Sequence, residues 1–134
     1  DYSRAIEFNG DHALAHNNLA WTLAYHLDTE YERALEHAQQ AVELGPTGAN
    51  QDTLALVYFK LDQYDKALEH YSTALELDPE QAGSCKGRGD VYLAMGNEAA
   101  ALADYEMYLS LVTEGPEREV VEGIVKSLRR RAEG

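Results

Sequence analysis

The chain has 134 residues, 45% of them hydrophobic and 26% charged, with 24 acidic against 11 basic side chains and a net charge of −13. That excess of acid would repel a phosphate backbone, which needs a basic footprint to displace its counterions. No run approaches the ~18 apolar residues of a membrane span, so neither a nucleic acid nor a membrane is expected as a partner.

Composition narrows the class further. Cys85 is the single cysteine, so no intrachain disulfide can form, and the cytoplasm is the expected compartment. The charge is uneven. Residues 1–115 hold 20 acidic and 6 basic residues, a balance of −14, while residues 116–134 hold 4 and 5, a balance of +1. Such acidity serves solubility, or it steers basic partners toward the molecule.

Apolar spacing is helical throughout. Helices are expected over 1–8, 13–27, 30–44, 48–61, 64–77, 82–95, 98–111 and 116–131, with no strand. The first carries Tyr2, Ala5, Ile6 and Phe8, and Leu14, Leu19, Leu23 and Leu27 stripe the second. A phrase then appears twice: Glu32-Arg33-Ala34-Leu35-Glu36-His37 through Gly45-Pro46 returns as Asp65-Lys66-Ala67-Leu68-Glu69-His70 through Asp78-Pro79, 33 residues on. Between the copies, Leu54, Val57, Tyr58 and Leu61 share a stripe. A weaker third copy runs from Ala99-Ala100-Ala101-Leu102 to Thr113. Asp28-Thr29, Asp62-Gln63 and Gly96-Asn97 split helices into pairs, and Gly45-Pro46, Asp78-Pro79 and Glu114-Gly115-Pro116 end each pair. A residue before proline is pushed out of helical geometry, which makes these stops credible. In the final segment Val120, Val121, Ile124, Val125 and Leu128 form an apolar stripe, with Lys126, Arg129, Arg130 and Arg131 toward its end.

Self-similarity at this period marks a stacked helical array. The blocks resemble the tetratricopeptide repeat. Leu54-Ala55, Tyr58, Ala67, Tyr71, Ala74 and Pro79 fill its slots best; Leu19-Ala20, Leu23, Ala34, Ala38, Ala41 and Pro46 follow, then Gly89, Tyr92, Ala101 and Tyr105. The resemblance implies an all-α, right-handed superhelical solenoid of antiparallel helix pairs. The single domain divides into a truncated repeat at 1–12, repeats at 13–47, 48–81 and 82–115, and a capping helix at 116–134. The departures are informative. His16, Gln51 and Cys85 stand where the family opens on Trp, and the turn around Tyr25–Glu30 is two residues longer than usual. Arg88, Tyr108 and Thr113 replace the Leu, Ala and Pro of the last block. The lengthened block resembles those of large bacterial repeat proteins, and the chain is expected to be a C-terminal piece of one. Its first repeat begins at the second helix, which leaves an end suited to self-association.

Nothing in the chain asks for catalysis, a cofactor or a metal. His12 and His16 sit four apart, as zinc ligands do, but no further ligand is fixed by spacing. His37 and His70 occupy equivalent repeat positions and read as duplicated surface. Cys85 reads as a small packing residue. No glycine-rich phosphate loop, nucleophile elbow or triad is present. In the resembled family the first helices of successive pairs line a concave groove, and helical periodicity turns Asn17, Asn18, Trp21, Tyr25, Asp52, Thr53, Leu56, Lys60, Lys86 and Asp90 toward it. The expected function is protein–protein interaction: a peptide or helical segment of a partner lies in the groove. The asparagines would hold its backbone, Trp21 and Leu56 its apolar anchors, and Asp52 and Asp90 its Lys or Arg. The family's clamp for C-terminal carboxylates needs Lys and Asn in three first helices. The matching positions hold Asn17, Trp21, Thr53, Gly83 and Gly87 without a cation, so that use is not implied. The alternative function is a structural spacer or oligomerisation module acting through its ends.

Overall fold

A computed structural model describes residues 9–27 and 29–133. Among them are seven α-helices and no strand. They are α1 (Asn9–Trp21), α2 (Tyr31–Leu44), α3 (Gly48–Lys60), α4 (Tyr64–Leu77), α5 (Ala82–Ala94), α6 (Glu98–Leu111) and α7 (Pro116–Glu133). Local chemistry sets their ends. The Thr47 hydroxyl accepts from the Asn50 amide at 3.2 Å to cap α3, and Asn97 does the same for α6 through the Ala100 amide. Gly45 and Asp78, each followed by proline, adopt extended conformations that stop α2 and α4. Within each pair the chain reverses through one left-handed residue: Glu30 (φ 50°), Asp62 (φ 62°) or Gly96 (φ 84°).

Two boundaries depart from the sequence reading by more than two residues. The expected second helix was placed at 13–27, but Gly10 and Asp11 are already helical. Asn, Gly and Asp all suit a helix start, so this stretch gave no unique signal. The longer turn is taken up by winding: after Trp21 the helix loosens into a π-helical turn, Thr22–His26, in which the Leu27 amide donates to the Thr22 carbonyl at 3.0 Å. The expected helix 1–8, the truncated repeat's start and the proposed N-terminal self-association surface lie outside the described residues.

Short turns make α1/α2, α3/α4 and α5/α6 antiparallel pairs. Each second helix packs on the next first helix, and α7 packs on α6. The first helices α1, α3 and α5 also touch in sequence, whereas α2 and α4 do not come together. The first helices therefore form the inner layer and the second helices the outer. Close crossing requires small side chains, and Ala34, Ala38, Ala41, Ala67, Ala74 and Ala101 are all fully buried. One apolar cluster joins the first two pairs with Val91 of α5, and a second joins α5, α6 and α7 around Tyr105, Tyr108, Val121, Val125 and Leu128. Val120, expected in that stripe, is 59% exposed: it precedes Val121 by one residue, and a 100° step carries it off the buried face. The basic end of α7 docks on acidic α6, with Arg131 3.0 Å from Glu98 and Arg129 bonded to Glu106. No described helix is long and apolar enough to cross a membrane.

Candidate functional site: the concave groove

The inner layer, with Tyr71 of α4 and Glu117 of α7, borders an open cavity of about 180 Å³ lined by Trp21, Tyr25, Asp52, Leu56, Tyr71, Gly83, Lys86, Gly87, Asp90 and Glu117. Three of the expected first helices meet there. Trp21 and Tyr25 come from α1 and its π-turn, Asp52 and Leu56 from α3, and Lys86 and Asp90 from α5. Successive positions on each helix are three or four apart, the spacing that keeps side chains on one face.

The aromatic wall is preassembled. Trp21 and Tyr25 stack with ring centroids 4.6 Å apart and planes 13° apart, and His26 meets Trp21 edge-on at 4.5 Å. The Tyr25 hydroxyl donates to Glu117 Oε1 at 2.9 Å, joining the first helix pair to the last helix. That bond, more than the carboxylate's charge or burial, raises the tyrosine's pKa. The polar floor is equally fixed. Lys86 Nζ donates to Asp90 Oδ2 at 3.0 Å, and the buried Tyr105 hydroxyl donates to Asp90 Oδ1 at 2.6 Å. Burial alone would lower the Lys86 pKa, but Asp90 and then Glu117 hold it above its usual value. Ser84 Oγ donates to Asp52 Oδ1 at 2.7 Å, and burial pushes the Asp52 carboxyl up despite that bond. Three carboxylates thus face one ammonium. Tyr71 enters the wall because Gly87 has no side chain: a Cβ there would sit 2.4 Å from the tyrosine ring.

The other four candidate residues stand apart from the cavity. Thr53 is 2% exposed and spends its hydroxyl on the Ala49 carbonyl at 3.2 Å, so it belongs to helix packing. Asn17 keeps Oδ1 buried without a hydrogen-bond partner. Asn18 is exposed and does not line the cavity, and Lys60 lies in the last turn of α3. Sequence reasoning missed Tyr71 and Glu117. Tyr71 was read only as filling a family slot on a second helix, and Glu117 reaches the cavity from α7, outside the first helices. The small residue at 87 was the one available sign that a neighbouring ring comes close.

The histidines also depart from their surface reading. His37 and His70 are half-buried, and each meets the first-helix slot where the resembled family carries Trp. His37 Nδ1 lies 2.7 Å from His16 Nδ1, and His70 Nδ1 lies 2.7 Å from Gln51 Oε1. His12 Nε2 extends the first contact, 2.8 Å from His16 Nε2. Burial lowers the pKa of His16, His37 and His70. Among the described residues no group of three or more His, Cys, Asp or Glu is arranged to hold a metal. Cys85 is 2% exposed, and burial raises its thiol pKa, the opposite of an activated nucleophile.

Residues 53–81 match the family profile described as Tetratricopeptide repeat. No curated protein sequence matches the chain. Solved structures match its fold at low identity. The Arabidopsis OM64 TPR domain aligns with a TM-score of 0.80 at 17% identity, covering 91% of this chain and 98% of its own. The first TPR of Spaghetti (RPAP3), bound to the HSP90 peptide SRMEEVD, gives 0.79 at 19% identity, covering 91% and 94%. The Yersinia enterocolitica type III secretion chaperone SycD, in complex with a peptide of the translocator YopD, gives 0.79 at 20% identity, covering 91% and 95%.

Proposed function

We propose that this chain, which belongs to the tetratricopeptide repeat family, binds a peptide or helical segment of a partner protein in its concave groove and performs no chemistry on it. The observation that carries the reading is the wall itself. Six residues placed on the groove by periodicity (Trp21, Tyr25, Asp52, Leu56, Lys86 and Asp90) line one cavity from three successive inner helices. Two structures of the same fold hold peptides, which supports the use of such a surface.

The chemistry of the wall defines the partner. Trp21 and Leu56 offer apolar contact, and with Asp90 bonded to Lys86 the carboxylates of Asp52 and Glu117 remain, so a segment bearing basic residues fits and an acidic tail is opposed. Asn18, exposed on α1, would bond a peptide backbone.

Affinity capture from a lysate, comparing the unmodified chain with Trp21→Ala/Asp52→Lys, tests this. A protein retained by the former and lost by the latter, with the thermal midpoint of the variant little changed, is expected. Equal capture by both, together with a defined dimer that dissociates on dilution, would replace the groove reading with that of a spacer acting through its ends.

A further inference from the structure

The groove is spanned in the free protein. Tyr25 and Glu117 are 92 residues apart in sequence and line the cavity from the π-turn after α1 and from α7, and their side chains share a 2.9 Å hydrogen bond. Both residues are exposed, Tyr25 by 47%, so no packing requires the contact. The ring of Tyr25 is held from behind by its stack on Trp21, which aims the hydroxyl at the carboxylate. About 180 Å³ lies between these walls, enough for a single side chain.

Glu117 is also the carboxylate most open to exchange. Asp90 is engaged by Lys86 and by Tyr105, and Asp52 is half-buried under Ser84. Glu117 takes its hydrogen bond from a neutral hydroxyl, in the first turn of α7. A guanidinium offers that carboxylate two parallel donors where the hydroxyl offers one, and its flat face stacks on aromatic rings. The Trp21–Tyr25 stack supplies such rings beside Glu117.

We infer that the Tyr25–Glu117 bond is a strap closing the groove, and that it is released by an arginine of the bound segment, whose guanidinium takes Glu117 and lies against the Trp21–Tyr25 stack. The inference rests on the groove reading above and names the regulation and the anchor of that site. A segment that binds only the open form loses apparent affinity in proportion to the closed fraction. One net hydrogen bond corresponds to a roughly 2- to 10-fold preference for the closed form.

The test uses an acetylated, amidated alanine–leucine heptapeptide with one central arginine, its citrulline twin of equal shape and no charge, and the fluorescence of Trp21, the chain's one tryptophan. Tyr25→Phe keeps the ring and removes the strap. It is expected to bind the arginine peptide roughly 2- to 10-fold more tightly than the unmodified chain. Glu117→Gln is expected to lose most of the preference for the arginine over the citrulline peptide, Asp52 keeping the remainder. Both substitutions are at exposed positions, and unchanged thermal midpoints confirm folding. The strap is refuted if Tyr25→Phe binds no more tightly than the unmodified chain, or if Glu117→Gln keeps the full preference for arginine. If no form binds the arginine peptide, the arginine anchor falls. Loss of partner capture in Trp21→Ala/Asp52→Lys would then leave the groove reading standing without it.

Discussion

Arg88 occupies a slot where the repeat pattern calls for leucine, and the structure shows what holds it. Its guanidinium grips Asp104 with two hydrogen bonds, Nε to Oδ2 at 2.9 Å and Nη2 to Oδ1 at 2.8 Å, and reaches Ser72 Oγ at 3.3 Å. The Asp104 side chain is 9% exposed and that of Arg88 is 26% exposed. Arg88→Leu would restore the family residue but strand a buried carboxylate. Breaking a buried pair from one side costs about 3–5 kcal/mol, and water reaching the part-exposed end of this pair sets the expectation at the lower limit, about 3 kcal/mol. For a chain of this size that is a fall of roughly 10 °C in thermal midpoint. Replacing both partners, Arg88→Leu/Asp104→Ala, removes the stranded charge and should return to within about 1 kcal/mol of the unmodified chain. Urea unfolding followed by far-ultraviolet circular dichroism gives all three values. A loss under about 1 kcal/mol for Arg88→Leu, or a double variant as unstable as the single one, would refute an uncompensated charge as the cause.

Two further expectations follow from the packing. Gly87→Ala puts a methyl group 2.4 Å from the ring of Tyr71, which is 3% exposed and must shift to admit it, so a loss of about 1–3 kcal/mol in urea unfolding is expected. Gly83→Ala, on the same helix with nothing within 4 Å of the new carbon, should instead gain up to about 1 kcal/mol; the same sign for both would deny the close approach. The second concerns pH. Burial lowers the pKa of His16 and His37 in the folded chain, so the unfolded chain binds more protons near and below pH ~6.5. Their contribution is therefore complete above that pH and is lost as pH falls through it toward the folded values. Asp52, raised by burial, acts in the opposite sense at lower pH, so the comparison is with a variant. The urea midpoint of the unmodified chain should drop more between pH 7.5 and 5.5 than that of His16→Gln/His37→Gln, and parallel slopes would refute the reading.

The elements legible in the sequence are those fixed by local chemistry. The repeated phrase and its prolines place α4 and α6 at the expected bounds, because Asp78-Pro79 and the Asn97 cap act within a few residues. The path of the long turn was not legible. Extra residues give its length, while the π-turn that absorbs them depends on how α1 sits against α2. The same division runs through the site. Trp21, Tyr25, Asp52, Leu56, Lys86 and Asp90 converge because helical period and the inner position of first helices suffice to orient them. Thr53 failed for want of an angle: on the same helix as Asp52, one step round, it turns from the cavity into the packing. Glu117 and the His16–His37 contact depend on distances set by stacking, which no single repeat encodes.

Net charge alone left two readings of the acidity, solubility and a basic partner, and the arrangement of the carboxylates separates them. Glu98 and Glu106 hold Arg131 and Arg129 of α7, Asp104 holds Arg88, and Asp90 holds Lys86. These charges serve the fold and say nothing about a ligand. Asp52 and Glu117 differ in that their hydrogen bonds come from the hydroxyls of Ser84 and Tyr25 while they face a shared cavity beside an aromatic stack. A hydroxyl satisfies a carboxylate's geometry without neutralising it, so the field of both acids remains in the groove. The case for a basic partner therefore rests on two named side chains, and it would stand unchanged if the rest of the surface were neutral.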